Sequence, residues 1–162
     1  MEQPPDFSFI DVLKSPARAM SAKKILTMTF FICLGLVVYD AYRPWSVTKL
    51  FWDITPPEKH MFVADPAKGS VHNRGCAVDV GLVELESGRV LEMPGAYDEM
   101  SGRSHVAYAA GTPEQRARRD LLRRAMERGG MFTVYAEEWW HYDFRDYREY
   151  PVLDIAFKDI GS

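Results

Sequence analysis

The chain has 162 residues, enough for one domain with a buried core. Hydrophobic residues make up 47% and charged residues 27%, the balance of an ordinary globular protein rather than a disordered one. Lys and Arg number 20 against 23 Asp and Glu, a net charge of −3, which excludes the strong positive field that binding phosphates requires. No nucleic-acid partner is expected.

In chain order, residues Met1 to Lys24 carry Pro4, Pro5 and Pro16 among mixed polar residues, without a clear period, and read as an N-terminal arm. Ile25 to Val38 is a nearly unbroken apolar run behind Lys23-Lys24. It is short of the ~20 residues of a membrane span. The favoured expectation is a buried helix end that turns at Gly35 into a central strand, Leu36 to Asp40. A signal or membrane anchor is the alternative. Pro44 ends that strand. Trp45 to Trp52 then suits a short helix with Val47, Leu50 and Phe51 as its apolar side, broken at Thr55-Pro56-Pro57.

Cys76 to Leu85 alternates as a strand, with Ala77, Asp79, Gly81, Val83 and Leu85 on one face. A turn at Glu86-Ser87-Gly88-Arg89 would return the chain through Val90–Met93 as a hairpin. Pro94 to Ala110 is a long loop, of the kind that often carries function. Thr112, Pro113 and Gln115 form the start signals of a helix. Ala117, Leu121, Leu122, Ala125 and Met126 make its apolar stripe, Arg116, Arg119 and Arg123 a solvated face, and Gly129-Gly130 its end. Met131 to Ala136 reads as a strand, and Tyr150 to Phe157 as an added edge strand. Cys33 and Cys76, each inside an apolar run, are too few for a disulfide framework and read as small buried hydrophobes.

Two clusters carry the chemistry. Ser70-Val71-His72-Asn73-Arg74-Gly75-Cys76-Ala77-Val78-Asp79 holds a histidine and an aspartate seven positions apart; Glu138-Trp139-Trp140-His141 adds a histidine and a carboxylate. Two imidazoles and one carboxylate suffice to hold a catalytic zinc with one position open, which frees Glu138 as a general base. Asp79 inside an apolar strand must in any case be paired, protonated or metal-bound. On the residues alone, a metal centre and a buried polar network both remain open. The aromatic residues around the second cluster fit either a pocket wall or simple packing.

The pattern Ser70-x-His72-x-x-Gly75-x-Ala77-x-Asp79 with Glu138-x-Trp140-His141 resembles the paired signature of the zinc D-alanyl-D-alanine dipeptidases, the VanX type. Their relatives are the D-Ala-D-Ala carboxypeptidases of the same zinc peptidase superfamily. Asp40-Ala41-Tyr42-Arg43-Pro44 is similar to the Tyr-Arg-Pro element of the dipeptidases, and Tyr97-Asp98-x-Met100 to their segment upstream of a Ser-His pair, here Ser104-His105. The similarity runs from about Leu34 to Phe144.

The resemblance implies an α+β fold of the hedgehog and DD-peptidase kind, a small antiparallel sheet with packed helices and the zinc at the sheet edge. The catalytic domain would occupy residues 25–162, N-terminally shortened, after the arm of residues 1–24. His72, Asp79 and His141 would bind one Zn2+ per chain. Glu138 would take a proton from the attacking water and return it to the leaving amine, while Arg43 stabilises the oxyanion. Asp98 would pair with the substrate ammonium, and Ser70 would help hold the dipeptide. The implied reaction is hydrolysis of D-alanyl-D-alanine to two D-alanines. The alternatives are a carboxypeptidase or endopeptidase acting on peptidoglycan stems, and a membrane-tethered homologue that binds zinc without turnover. A cytoplasmic location is expected, with periplasmic or tethered forms as alternatives; the oligomeric state is open.

Overall fold

A computed structural model describes residues 34–160. Gly35–Ser162 forms one compact unit. Strand β1, Leu34–Asp40, is rich in the apolar and β-branched residues that favour extended backbone. Pro44 cannot donate to a ladder, and with φ −54° it starts helix α1, Trp45–Ile54. Both the amide and the hydroxyl of Thr55 bond back to Phe51 O, at 3.1 and 2.7 Å, and close the helix before Pro56. A 3-10 turn at Pro57–Phe62 follows, tied to α1 by His60, whose Nε2 lies 3.1 and 2.9 Å from the carbonyls of Trp52 and Thr55.

A second 3-10 turn, Val71–Arg74, is built by a reciprocal cap: Ser70 Oγ accepts from the turn's amides while Asn73 Oδ1 accepts from Ser70 N at 2.7 Å. Gly75 ends it at φ 63°, a left-handed conformation that a side chain would strain. Strand β2, Ala77–Glu84, leads across the turn at 85–87 and the loop that follows to helix α2, Pro113–Glu127, whose Thr112–Gln115 capping box forms as the sequence predicts. Strands β3, Phe132–Val134, and β4, His141–Phe144, complete a four-stranded antiparallel sheet in the order β1-β2-β4-β3. The register sets Asp79 opposite His141 and Ala77 opposite Asp143. Val80 and Leu82, on the strand face away from Asp79, join Leu122, Trp139 and Tyr142 in the core.

The antiparallel α+β architecture agrees with the sequence, while several details differ. The strand expected at the centre is, among the described residues, an edge strand: β1 leaves Leu36 and Val38 exposed on one face, so its apolar run does not mean burial on both. Gly35 lies inside that strand rather than at a turn. The helix or anchor expected from Ile25, and the boundary after Lys24, lie outside the described residues; among those described, no helix is long and apolar enough to cross a membrane.

In α1, Leu50 and Phe51 are exposed and the buried residue is Thr48, whose hydroxyl accepts from Asn73 Nδ2 at 2.8 Å. The return of the hairpin is a single bridge, Val83 to Val90, because Pro94 soon takes the chain away. Arg119 is buried instead of solvated: its Nη1 donates to Tyr108 O at 2.7 Å and its guanidinium pairs with Asp120, which satisfies the charge. Ala117 and Ala125 are exposed. Residues 150–156 form no strand. Leu153 N bonds to Asn73 O at 2.9 Å and Trp45 N to Leu153 O at 3.0 Å, so the segment runs between α1 and the His72 turn. Cys76 is buried and free, as expected; Cys33 is outside the described residues.

Candidate active site

Three elements deliver three metal-competent side chains to one point. The antiparallel pairing of β2 with β4 sets Asp79 beside His141, and the capped turn at Val71–Arg74 presents His72 from the N-terminal side of β2. Asp79 Oδ1 lies 3.0 Å from His141 Nδ1 and 3.3 Å from His72 Nε2, and the two imidazole nitrogens are 3.1 Å apart. His72 and Asp79 are buried. The resemblance implied a site at the sheet edge; Asp79 and His141 stand on β2 and β4, at the end where β4 begins, and His72 on the turn that precedes β2.

The outer contacts of these side chains decide which atoms face the common point. His72 Nδ1 lies 2.6 Å from the Ala41 carbonyl, which can only accept, so the ring donates there and turns the Nε2 lone pair inward. His141 Nε2 lies 2.8 Å from Asp143 Oδ1 and leaves Nδ1 inward by the same logic. Asp79 spends Oδ2 on the hydroxyl of Tyr97, at 3.2 Å, and keeps Oδ1 for the centre. Two nitrogens and one oxygen, all within 4.8 Å of one another, thus converge as acceptors. Such a trio needs a cation or protons among its lone pairs, and N, N and O donors with one open direction suit a divalent transition metal. The residues fit the implied ion.

Without an ion, protons take its place. Burial alone would lower the His141 imidazole, but hydrogen bonds to Asp143 and Asp79 and the charges of Asp79 and Glu138 outweigh it and push it up to about 10. Burial likewise opposes ionisation of Asp79, yet hydrogen bonds from both histidines hold its carboxyl well below the usual range. Glu138 ends the short turn ahead of β4, with Oε2 3.7 Å from His141 Nδ1. Burial pushes its carboxyl up to about 7; the charges of Asp79 and Asp98 add to this, and the histidines oppose it.

The centre opens into a cleft of about 710 Å3 that Arg43, Asp98 and Ser70 also line. Arg43 is fixed by Asp40, with Nε and Nη2 at 2.8 and 2.6 Å from Oδ2, and its guanidinium lies over the Phe51 ring at 5.1 Å. Asp98 occupies φ 58°, a conformation that aspartate tolerates better than most residues. Ser70, buried, is engaged as the cap of the His72 turn. The sequence reading did not single out Asp143, or Tyr97 as a partner of Asp79. His-x-Asp in a strand carries the signal for the former, since a period of two puts both side chains on one face. The contacts of Tyr97 and of the Ala41 carbonyl depend on loop geometry and had no signal in the spacing.

Comparison with known proteins adds a second, independent line. The model of the peptidase M15 family, described as D-Ala-D-Ala dipeptidase, matches residues 10–158. A D-alanyl-D-alanine dipeptidase of Escherichia coli strain K12 is 40% identical over 124 residues, which are 76% of this chain and 62% of that protein. The D-alanyl-D-alanine dipeptidase of Enterococcus faecium is 32% identical over 140 residues, 73% of this chain and 69% of the relative. That of Enterococcus faecalis is 31% identical over 163 residues, 90% and 79%. The chain therefore spans somewhat less than two thirds of the length of the Escherichia coli relative.

Proposed function

Because the chain belongs to the D-Ala-D-Ala dipeptidase family of M15 peptidases, we propose that it hydrolyses D-alanyl-D-alanine to two D-alanines with one Zn2+ per chain. The observation that carries this reading is the convergence of His72 Nε2, His141 Nδ1 and Asp79 Oδ1, with Glu138 beside them. Zinc held by those three atoms supplies a Lewis acid that lowers the pKa of water towards ~7.

The remaining work falls to the chain itself. Glu138, beside the centre, is placed to accept a proton from the attacking water and give it to the leaving amine. Arg43 is held rigid by Asp40 and Phe51, so its guanidinium is preorganised for the developing oxyanion. Asp98, which lines the same cleft, offers the charge that an N-terminal ammonium needs, and Ser70 flanks the substrate from the His72 turn. A cationic Arg43 and an anionic Asp98 in one cleft favour a short zwitterionic peptide. A free dipeptide, rather than a wall polymer, also implies a cytoplasmic location.

The test is release of D-alanine from D-alanyl-D-alanine by metal-analysed protein, run beside a peptidoglycan stem pentapeptide. Turnover of the dipeptide supports the reading. Turnover of the pentapeptide alone would replace it with a carboxypeptidase, and a zinc-loaded protein inert to both with a binding role.

A further inference from the structure

Asp143 has no part in the scheme above, yet it is placed to govern the metal centre. It stands two residues after His141 on β4, so both side chains project from one face of the strand. Its Oδ1 lies 2.8 Å from His141 Nε2. Among the described residues His141 is the one charged partner of Asp143; no lysine or arginine pairs with it. Across the ladder it faces Ala77, too small to reach the carboxylate or displace it, and on the other side Thr133. A carboxylate left in a cleft wall with an imidazole as its sole counter-charge has a narrow range of uses.

The two histidines show what that use is. His72 presents Nε2 to the centre because a backbone carbonyl fixes Nδ1, a contact that no side-chain substitution at position 41 removes. His141 presents the opposite ring edge, Nδ1, and its Nε2 is held by the Asp143 side chain rather than by a backbone carbonyl. An imidazole in water distributes its proton between both nitrogens, so a ligand that must act through Nδ1 needs Nε2 to be kept protonated. An acceptor-only carboxylate does this and raises the basicity of the ring as a ligand. We propose that Asp143 is a positioning residue that selects the Nδ1-ligating form of His141 and thereby sets the metal affinity of the site. This rests on the metal reading of His72, Asp79 and His141.

The experiment measures Zn2+ affinity of the full chain by competition with a chromophoric chelator, for wild type, Asp143→Ala and Asp143→Asn. Absorption spectra of Co2+-loaded protein and melting of the metal-free forms are recorded alongside. Asp143→Ala is expected to weaken Zn2+ binding by about 10- to 100-fold. Asp143→Asn keeps an acceptor oxygen without the charge, so an intermediate loss is expected. The Co2+ spectrum should shift in both variants while the metal-free fold is retained. An Asp143→Ala protein that binds Zn2+ within about twofold of wild type with an unchanged Co2+ spectrum overturns the proposal, the 10-fold lower bound being the reference. If that variant fails to fold, the same outcome in Asp143→Asn, which preserves shape, overturns it equally. A wild-type chain that binds no Zn2+ removes the metal reading itself, a result distinct from equal binding by wild type and variants.

Discussion

Loading the centre with Zn2+ at pH 8 should expel about one proton per ion, and the number follows from His141. In the metal-free protein its imidazole titrates at about 10, two pH units above the working pH, so the ring is charged in nearly every molecule. Nδ1 must lose that proton to ligate. The displacement costs about 3 kcal/mol at pH 8, at roughly 1.4 kcal/mol per pH unit. Apparent affinity should therefore rise about tenfold per unit between pH 7 and 9 and flatten as pH approaches 10. Near pH 6 a second proton joins, because Glu138 titrates at about 7 beside the arriving cation. Titration calorimetry in buffers of different ionisation enthalpy counts these protons directly. Release near zero at pH 8, with an affinity independent of pH, would refute the assignment of His141 Nδ1 as a ligand.

The same groups fix the sign of metal-free stability. Glu138 and His141 both have folded pKa values raised above their ordinary ones, so what they contribute is complete below about 4.5 and 6.5 respectively and is lost as pH rises through about 7 and 10. Chelator-treated protein should melt lower at pH 9 than at pH 5, and a flat or rising melting curve would contradict the site's electrostatics. Glu138→Gln should cut the release of D-alanine by about 100- to 10,000-fold while bound zinc, measured by elemental analysis, stays at wild-type level. Gly81→Ala would drive a methyl to 2.6 Å from the Tyr39 hydroxyl, and Tyr39 stacks at 4.2 Å on Tyr97, the partner of Asp79; a stability loss of about 1–3 kcal/mol is expected in urea unfolding. Leu122→Ala, at a fully buried position of α2, should cost about 2–5 kcal/mol in the same assay.

The parts of this architecture visible in the sequence are those written in local chemistry. The capping box of α2 and the alternation of β2 each follow from a few neighbouring residues, and each appears where it was expected. The convergence of His72, Asp79 and His141 was legible because metal chemistry restricts which residues can serve, and because two compact clusters held them. Position within the sheet was not legible. An apolar strand reads alike whether it sits at the centre or, as β1 does among the described residues, at an edge, since periodicity reports faces and not neighbours. Arg119 reads as solvated for a related reason: a guanidinium satisfied by the Tyr108 carbonyl and Asp120 is indistinguishable, in sequence, from one facing water. The tail from Tyr150 reads as an edge strand, whereas its backbone partners are Asn73 and Trp45, residues about 80 to 110 positions earlier.

That tail sets an order of events during synthesis. Leu153 N closes onto Asn73 O inside the turn that holds His72, Trp45 N onto Leu153 O, and Ser46 N onto the Asp154 carboxylate. A ribosome emits residues 43–79 long before residue 153, so His72 and Asp79 leave the exit tunnel with their bracket still untranslated. β4, which brings His141, also comes late. Nascent chains shorter than about 155 residues should hold zinc poorly even when β1, α1 and β2 are already outside, and metal capture becomes one of the closing acts of folding.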